Sequence, residues 1–351
     1  MVSNRTYIWY LLFLFSCMDR NTGIVFPETA NLSVANEYNA DVYMRYPYRI
    51  RLADSFMYVM DLHTAEYYIH KMKYEVNTTH IFSYGKRGEG PMELLDAENI
   101  RLDSEGRVWC LDANRHKLVM WDSSGHQEIN LSPQLLRSLD FAFMDDSTII
   151  VPDYTGEHRI CLINLNGDII KQLFSIPDKR SHKLSRIPLA QAWRSFIDYN
   201  QKTGILAVVT QLGQVLEIYN IKEECIIAVI NSESGAPKFN LKQDFAIPDG
   251  IMGYSDVHVA DDVIYALFWG YSFDDIRKGL IKNEGGNRLQ VFDTNGIALK
   301  EYILDRYVTG FCIDKDQNKI LALDTNSDQP IIEYDLNKTR NYESKIDLSQ
   351  N

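Results

Sequence analysis

The sequence predicts an all-β fold, a six-bladed β-propeller with four-stranded antiparallel blades, on three observations. One short β-rich phrase, often closed by Asp, recurs six times, at residues 55–61, 107–112, 148–153, 204–209, 262–267 and 319–324. The copies from Asp61 to Asp324 are spaced by about 53 residues, enough for a four-stranded blade and its loops. Apolar residues alternate in twos, while the i, i+3, i+4 pattern of an amphipathic helix is scarce. Radial repetition leaves few open sheet edges, and six units fall within the roughly four to eight that such rings use. A two-sheet sandwich or a pair of β domains would call for a composition break or a Pro/Ser linker within residues 130–255, and the sequence has neither.

In chain order, the first residues read as a secretion signal. Arg5 supplies a positive charge, and residues 7–15 form an apolar run shorter than the ~20 residues of a membrane span. Leu14, Phe15, Ser16 and Cys17 resemble a bacterial lipobox, in which a small residue precedes a cysteine that is lipidated and becomes the mature N-terminus. The expected organisation is a signal peptide over 1–16, lipidation at Cys17, a lipid-proximal linker over 17–30 and a single propeller over 31–351. Plain secretion and an uncleaved anchor are the alternatives. Acyl chains would hold the protein on a membrane of the cell envelope, at its periplasmic or outer-membrane face, rather than within the bilayer.

The blades follow. In the second unit, residues 99–102 form an inner strand, Asp103-Ser-Glu-Gly106 a turn, 107–111 the refrain strand, 112–116 a loop, and 117–122 a third strand. The sixth unit repeats that order over 310–335. Asp and Gly between alternating apolar runs tolerate the backbone of a tight reversal, which makes them hairpin signals. Ring closure is expected from residues 32–34 pairing with the last blade, with 342–346 as the alternative.

A formal net charge of -12 argues against a nucleic-acid partner, because phosphate binding requires concentrated Lys and Arg. Cys110, Cys161, Cys225 and Cys312 lie in or beside β-like runs with no C-x-x-C spacing. Buried free thiols are expected, with a disulfide left open by an oxidising compartment.

After the first blade comes Gly85-Lys-Arg-Gly-Glu-Gly-Pro-Met-Glu93. Together with the Asp-ended refrain and Trp121-Asp-Ser-Ser-Gly125, it resembles the six-bladed β-propeller lipoproteins abundant in Bacteroidetes, which are distantly similar to TolB-like and NHL-type propellers. That family often carries a G-x-G-P-x-E phrase here. Gly88, Gly90, Pro91 and Glu93 match it, and Met92 stands where Gly is common. The resemblance implies an envelope-located propeller, in a family whose members mostly lack an assigned activity. Physically, two glycines permit positive φ or close approach and Pro fixes the turn, so a loop bracing two blades is expected, with ligand contact through Glu89, Glu93 or the amides as the other reading.

Loops after the refrain strands share one face around the mouth of the central channel. They bring Arg115, His116, Tyr154 and Arg159 there as candidate ligand contacts. The longest refrain loop is in the fifth blade, and its Trp269, Tyr271 and Phe273 with Asp274 and Asp275 suit a lid over a sugar, a peptide or a flat ring, or a packed lid with no ligand. Glu98, Asn99, Asp140 and Asp256, at inferred strand starts, are the one plausible metal set, of the hard-oxygen kind that suits calcium. The sequence contains no G-x-S-x-G, no H-E-x-x-H and no Gly-rich dinucleotide turn. The expected function is therefore non-enzymatic binding or scaffolding of a glycan, peptide or envelope protein, without a cofactor. A calcium-dependent hydrolase or lyase at the channel mouth is the alternative.

Overall fold

The computed structural model describes residues 24–341, apart from positions 76, 91, 123, 124, 136, 179–183, 232–234, 244 and 339. Six antiparallel sheets each run from a short inner strand to an outer one. The first blade is Pro47–Ala53, Phe56–Asp61, Tyr67–Lys73 and His80–Lys86. The second is Ala97–Leu102, Val108–Asp112, Lys117–Asp122 and Gly125–Asn130. The third is Ala142–Phe143, Thr148–Pro152, Ile160–Asn164 and Ile169–Leu173. The fourth is Ser195–Asn200, Ile205–Thr210, Val215–Asn220 and Cys225–Asn231. The fifth is Tyr254–Ala260, Val263–Phe268, Gly286–Asp293 and Ala298–Val308. The sixth is Phe311–Asp314, Lys319–Leu323 and Ile331–Asp335. Each refrain copy is the second strand of its blade.

The ring is closed by Val34–Tyr38, which pairs antiparallel with Ile331–Asp335 as the outer strand of the sixth blade. Thr29–Leu32 goes instead to the fifth blade, parallel to its outer strand, and Arg340–Asn341 pairs with it on the other side. The N-terminal segment thus serves two blades. The alternative closing segment, 342–346, lies outside the described residues, as do Cys17 and the signal segment.

Six hydrophobic clusters lie between successive blades. This explains why the refrain departs from the expected alternation and is continuously apolar between its polar ends. In Ile205–Thr210 every residue is buried: Leu206 and Val208 face the third blade, while Ala207 and Val209 face the fifth. A strand covered on both faces reads as a continuous hydrophobic run. Burying one Val or Leu contributes roughly 1.5–3 kcal/mol, so these inter-blade faces, and not helices, hold the ring. Cys110, Cys161 and Cys312 sit in them as buried free thiols, while Cys225 is exposed and also free.

The Asp that closes the refrain ties loops to strands. Asp61 accepts the amides of Arg45 and Tyr46 at 2.8 and 2.7 Å, and Asp112 accepts those of Leu95 and Arg115 at 2.9 and 3.1 Å. Asp324 accepts the amide of Asn326 at 2.9 Å. A side-chain carboxylate can satisfy turn amides that no ladder reaches. Among the described residues no helix is long and apolar enough to cross a membrane.

A sealed channel beneath a polar mouth

Because the strands alternate in direction, the loops between second and third strands and those between blades emerge from one face. Three consecutive blades enlarge it. Residues 174–194 include the helix Arg186–Ala192, and residues 231–253 include the hairpin of Phe239–Lys242 and Phe245–Pro248. Residues 269–285 include the helix Phe273–Arg277. A satellite cluster with Leu189, Trp193 and Val215 at its centre packs beneath the first two insertions. An open cleft of about 490 Å³ lies beside the first, lined by Gly156, His158, Ile176 and Leu189 and by Glu157 and Arg186, which form an ion pair with each other.

At three inner strands the ladder skips one residue. Pro47 faces Asp61 and Arg49 faces Met60, so Tyr48 is passed over, and the same happens to Glu98 and Ser255. Bulges at the rim of a closed sheet re-aim side chains. These three residues stand at the loop-face end of the channel.

Directly below, charges fill the channel. Arg101 makes a bidentate pair with Asp140, with Nε to Oδ1 at 3.1 Å and Nη2 to Oδ2 at 2.7 Å, and donates Nη1 to Asp198 at 2.7 Å. Asp256 lies 4.0 Å from Arg49 and 3.6 Å from Arg51. Burial pushes the Asp256 carboxyl up, but Arg49, Arg51 and Arg101 outweigh it and hold the group below its ordinary value. Arg49 is fully buried, with Nη2 donating to Ser255 O at 2.7 Å, Nη1 to Tyr48 O at 3.0 Å, and its guanidinium 3.8 Å from the Tyr48 ring centre. Three guanidiniums thus stand against three carboxylates within the channel.

The four candidate metal ligands do converge here, but Asp140 and Asp256 are engaged by arginines. Asn99 Oδ1 accepts the Ile100 amide at 2.9 Å. Glu98 alone among them makes no hydrogen bond or ion pair with the described residues. Burial, reinforced by Asp96 and opposed by Arg194, Arg49 and Arg137, pushes its carboxyl up to about 7. Among the described residues no group of three or more His, Cys, Asp or Glu side chains is placed to hold a metal ion.

The structure separates the candidate ligand contacts by role. Arg159, expected on the loop face, is turned inward and fully buried, with Nη2 2.6 Å from Glu217 Oε1. It also donates to Trp193 O at 2.9 Å and Ser195 Oγ at 2.6 Å. The Tyr154 hydroxyl donates to Ser195 O and accepts from Ser195 N at 3.0 and 3.1 Å. Both side chains therefore clamp the residues on either side of Arg194.

Arg115 spans the phrase matched to G-x-G-P-x-E, donating to the carbonyls of Gly88, Gly90 and Glu93 at 3.3, 3.0 and 2.6 Å. Glu93 folds back onto the Gly90 amide at 2.8 Å and pairs with Lys86 at 3.1 Å; these contacts hold its carboxyl below the ordinary value. A Cβ on Gly88, at φ 157°, would stand 2.0 Å from the Glu93 carboxylate. The phrase is a brace between the first two blades; Pro91 lies outside the described residues. His116 has φ 53° and its carbonyl accepts the Leu131 amide, which is a turn role.

In the fifth blade, Trp269 and Tyr271 are half-buried, 6.3 Å apart, and Tyr271 lies 6.3 Å from Tyr307. Their backbone is laced to Gly253 and Met252. Phe273, Asp274 and Asp275 form the short helix, where Asp275 bonds Ser272 and Asp274 pairs with Lys278 at 2.5 Å. The loop then crosses to the sixth blade, where Glu284 N donates to Asn326 Oδ1 at 3.0 Å.

A family profile described as TolB-like 6-blade propeller-like matches residues 25–316. The chain belongs to the TolB-like six-bladed propeller family. Among solved structures this propeller is similar to a member of the DUF4221 family from Bacteroides vulgatus, at 12% identity and TM-score 0.59, covering 89% of this chain and 99% of that one. It is also similar to a protein from Bacteroides fragilis described as exported, at 12% identity and TM-score 0.55, covering 92% and 98%. At such identity the likeness concerns fold alone. No curated protein matches the chain.

Proposed function

We propose that this propeller is a binding module of the bacterial envelope, tethered through lipid at Cys17 and taking its partner on the enlarged loop face rather than catalysing a reaction. The observation that carries this reading is the contrast within the channel: the interior is occupied by ion pairs, while the mouth above carries the half-buried Tyr48 and Glu98 on bulges that serve no ladder, with Ser255 buried on a third. The likeness to an exported protein supports the location.

The tether has a consistent geometry. Phe26 packs on Phe292 at 5.4 Å and Glu28 bonds the Glu301 amide, at the end of the fifth blade opposite the loop face. The stretch from Cys17 to Ile24 reaches at most about 25 Å at ~3.5 Å per extended residue. A lipid at Cys17 would therefore leave the loop face pointing away from the membrane.

The test is a thermal-shift screen of mono- and oligosaccharides and short peptides. A ligand of the loop face should lose its effect on Tyr48→Ala or Trp269→Ala and keep it on Glu105→Ala, an exposed turn residue of the opposite face. Ligands indifferent to Tyr48 and Trp269 would remove the site from this face.

A further inference from the structure

The unmet hydrogen-bonding capacity around the channel is mostly donor. Arg49 Nε, Arg51 Nε and Nη2 and Asn99 Nδ2 are buried donors without a hydrogen-bond partner among the described residues, although Arg49 Nε and Arg51 Nη2 face Asp256 at 4.0 and 3.6 Å; the Ser138 and Ser255 hydroxyls accompany them. Asn99 and Arg49 are both 0% exposed, and their places on the inner strands match that of Asp256, whose side chain lies in the channel. An unpartnered buried donor costs about 1–3 kcal/mol, so an acceptor above this layer would be favoured.

Arg194 is near enough to Glu98 at the mouth for its charge to act on that carboxyl. Its guanidinium donates to Arg137 O at 3.2 Å and lies 5.8 Å from the Tyr154 ring, and no acid among the described residues is within ion-pair distance of it. Its backbone is unusually well held. Trp193 O accepts from Arg159, the Trp193 indole donates to Asp178 at 3.1 Å, and Ser195 is bound by both Tyr154 and Arg159. An unpaired arginine presented by a fixed backbone is the arrangement by which proteins recognise carboxylates and other planar anions.

We propose that the mouth binds a ligand bearing a carboxylate, which Arg194 receives from the rim and the Asn99 amide from below. The inference rests on the loop face being the binding face, and it adds the ligand's chemistry. Glu98 is faced by Asp96 on its own loop, Cys110 on the next strand, Tyr48 and Arg49 from the first blade, Arg137 and Arg194. Burial pushes the Glu98 carboxyl up to about 7, and its negative charge above that pH would repel a carboxylate, so an acid ligand should bind more tightly at pH 6 than at pH 8.

The experiment is calorimetric titration of the folded protein with D-glucuronate, N-acetylneuraminate and acetate, against D-glucose and N-acetylglucosamine. The expected result is saturable binding of at least one acid, weakened about tenfold or more by Arg194→Gln and partly restored by Arg194→Lys, with neutral sugars silent. Melting curves verify that the variants fold. No binding of any acid at millimolar concentration overturns the proposal. Neutral sugars that bind as well as the acids, lose affinity in Tyr48→Ala and ignore Arg194→Gln would sink the carboxylate while leaving the loop-face reading intact. Acids that bind but ignore both variants would overturn both.

Discussion

Replacing Glu98 with Gln tests whether the mouth holds a carboxyl group in a place that disfavours its charge. Glu98 is partly buried and lacks a hydrogen-bond partner among the described residues, and its carboxyl is pushed from 4.5 up to about 7, chiefly by burial. The sign follows from proton linkage. An acid whose folded pKa lies above its unfolded one binds its proton more tightly when folded, so its contribution to stability is present below about 4.5 and is lost as pH rises towards and past 7. The gap corresponds to about 3 kcal/mol at ~1.36 kcal/mol per pH unit, an upper bound because the side chain keeps some contact with water. Gln cannot ionise. The stability of Glu98→Gln minus that of wild type should therefore grow with pH by up to about 3 kcal/mol between pH 5 and pH 8.5, measured by urea denaturation with equal m-values. Curves that stay parallel to within about 0.5 kcal/mol over this range would refute the reasoning, since an ordinary solvated carboxylate gives that result.

The other expectations are structural and separable from ligand binding. Arg159→Met should destabilise by about 3–5 kcal/mol, because Glu217 is left charged and buried; equilibrium denaturation measures it, and a loss below about 1 kcal/mol would contradict the buried pair. Arg115→Ala removes three carbonyl contacts from residues 88–93, so amide exchange should accelerate there and stability fall by about 1–3 kcal/mol, with the sixth blade unaffected. Gly310→Ala places a Cβ 2.3 Å from the Tyr48 carbonyl that Arg49 binds, so it should lower stability by at least about 1–3 kcal/mol; an unchanged melting temperature would show that the backbones are less close. Cys17→Ala should move the protein from the membrane fraction to the soluble one, and continued membrane retention would count against a lipid anchor.

How far the sequence was legible depends on whether a residue's role is local. The refrain strands were readable because each is buried on both faces, so Leu206 and Ala207 are apolar for the same reason though they face different blades. The Asp at the refrain's end was readable as a loop cap, and Asp61 and Asp112 are that. The helix Arg186–Ala192 and the hairpin around Phe239 were not readable, because each is held by a satellite cluster whose members come from distant segments. The site divides in the same way. Tyr154 and Arg159 were found as polar residues after a refrain strand, but whether such a side chain meets solvent or Glu217 is decided by the neighbouring blade. Arg49, Arg51 and Arg101 carried a signal of their own, since Arg at alternate positions of a strand bound for the channel needs an acid there. Asp140, Asp198 and Asp256 supply it. Once those acids are assigned to arginines, calcium loses its ligands, and Arg194, which has no acid within ion-pair distance among the described residues, is left as a guanidinium whose charge the proposed ligand could meet.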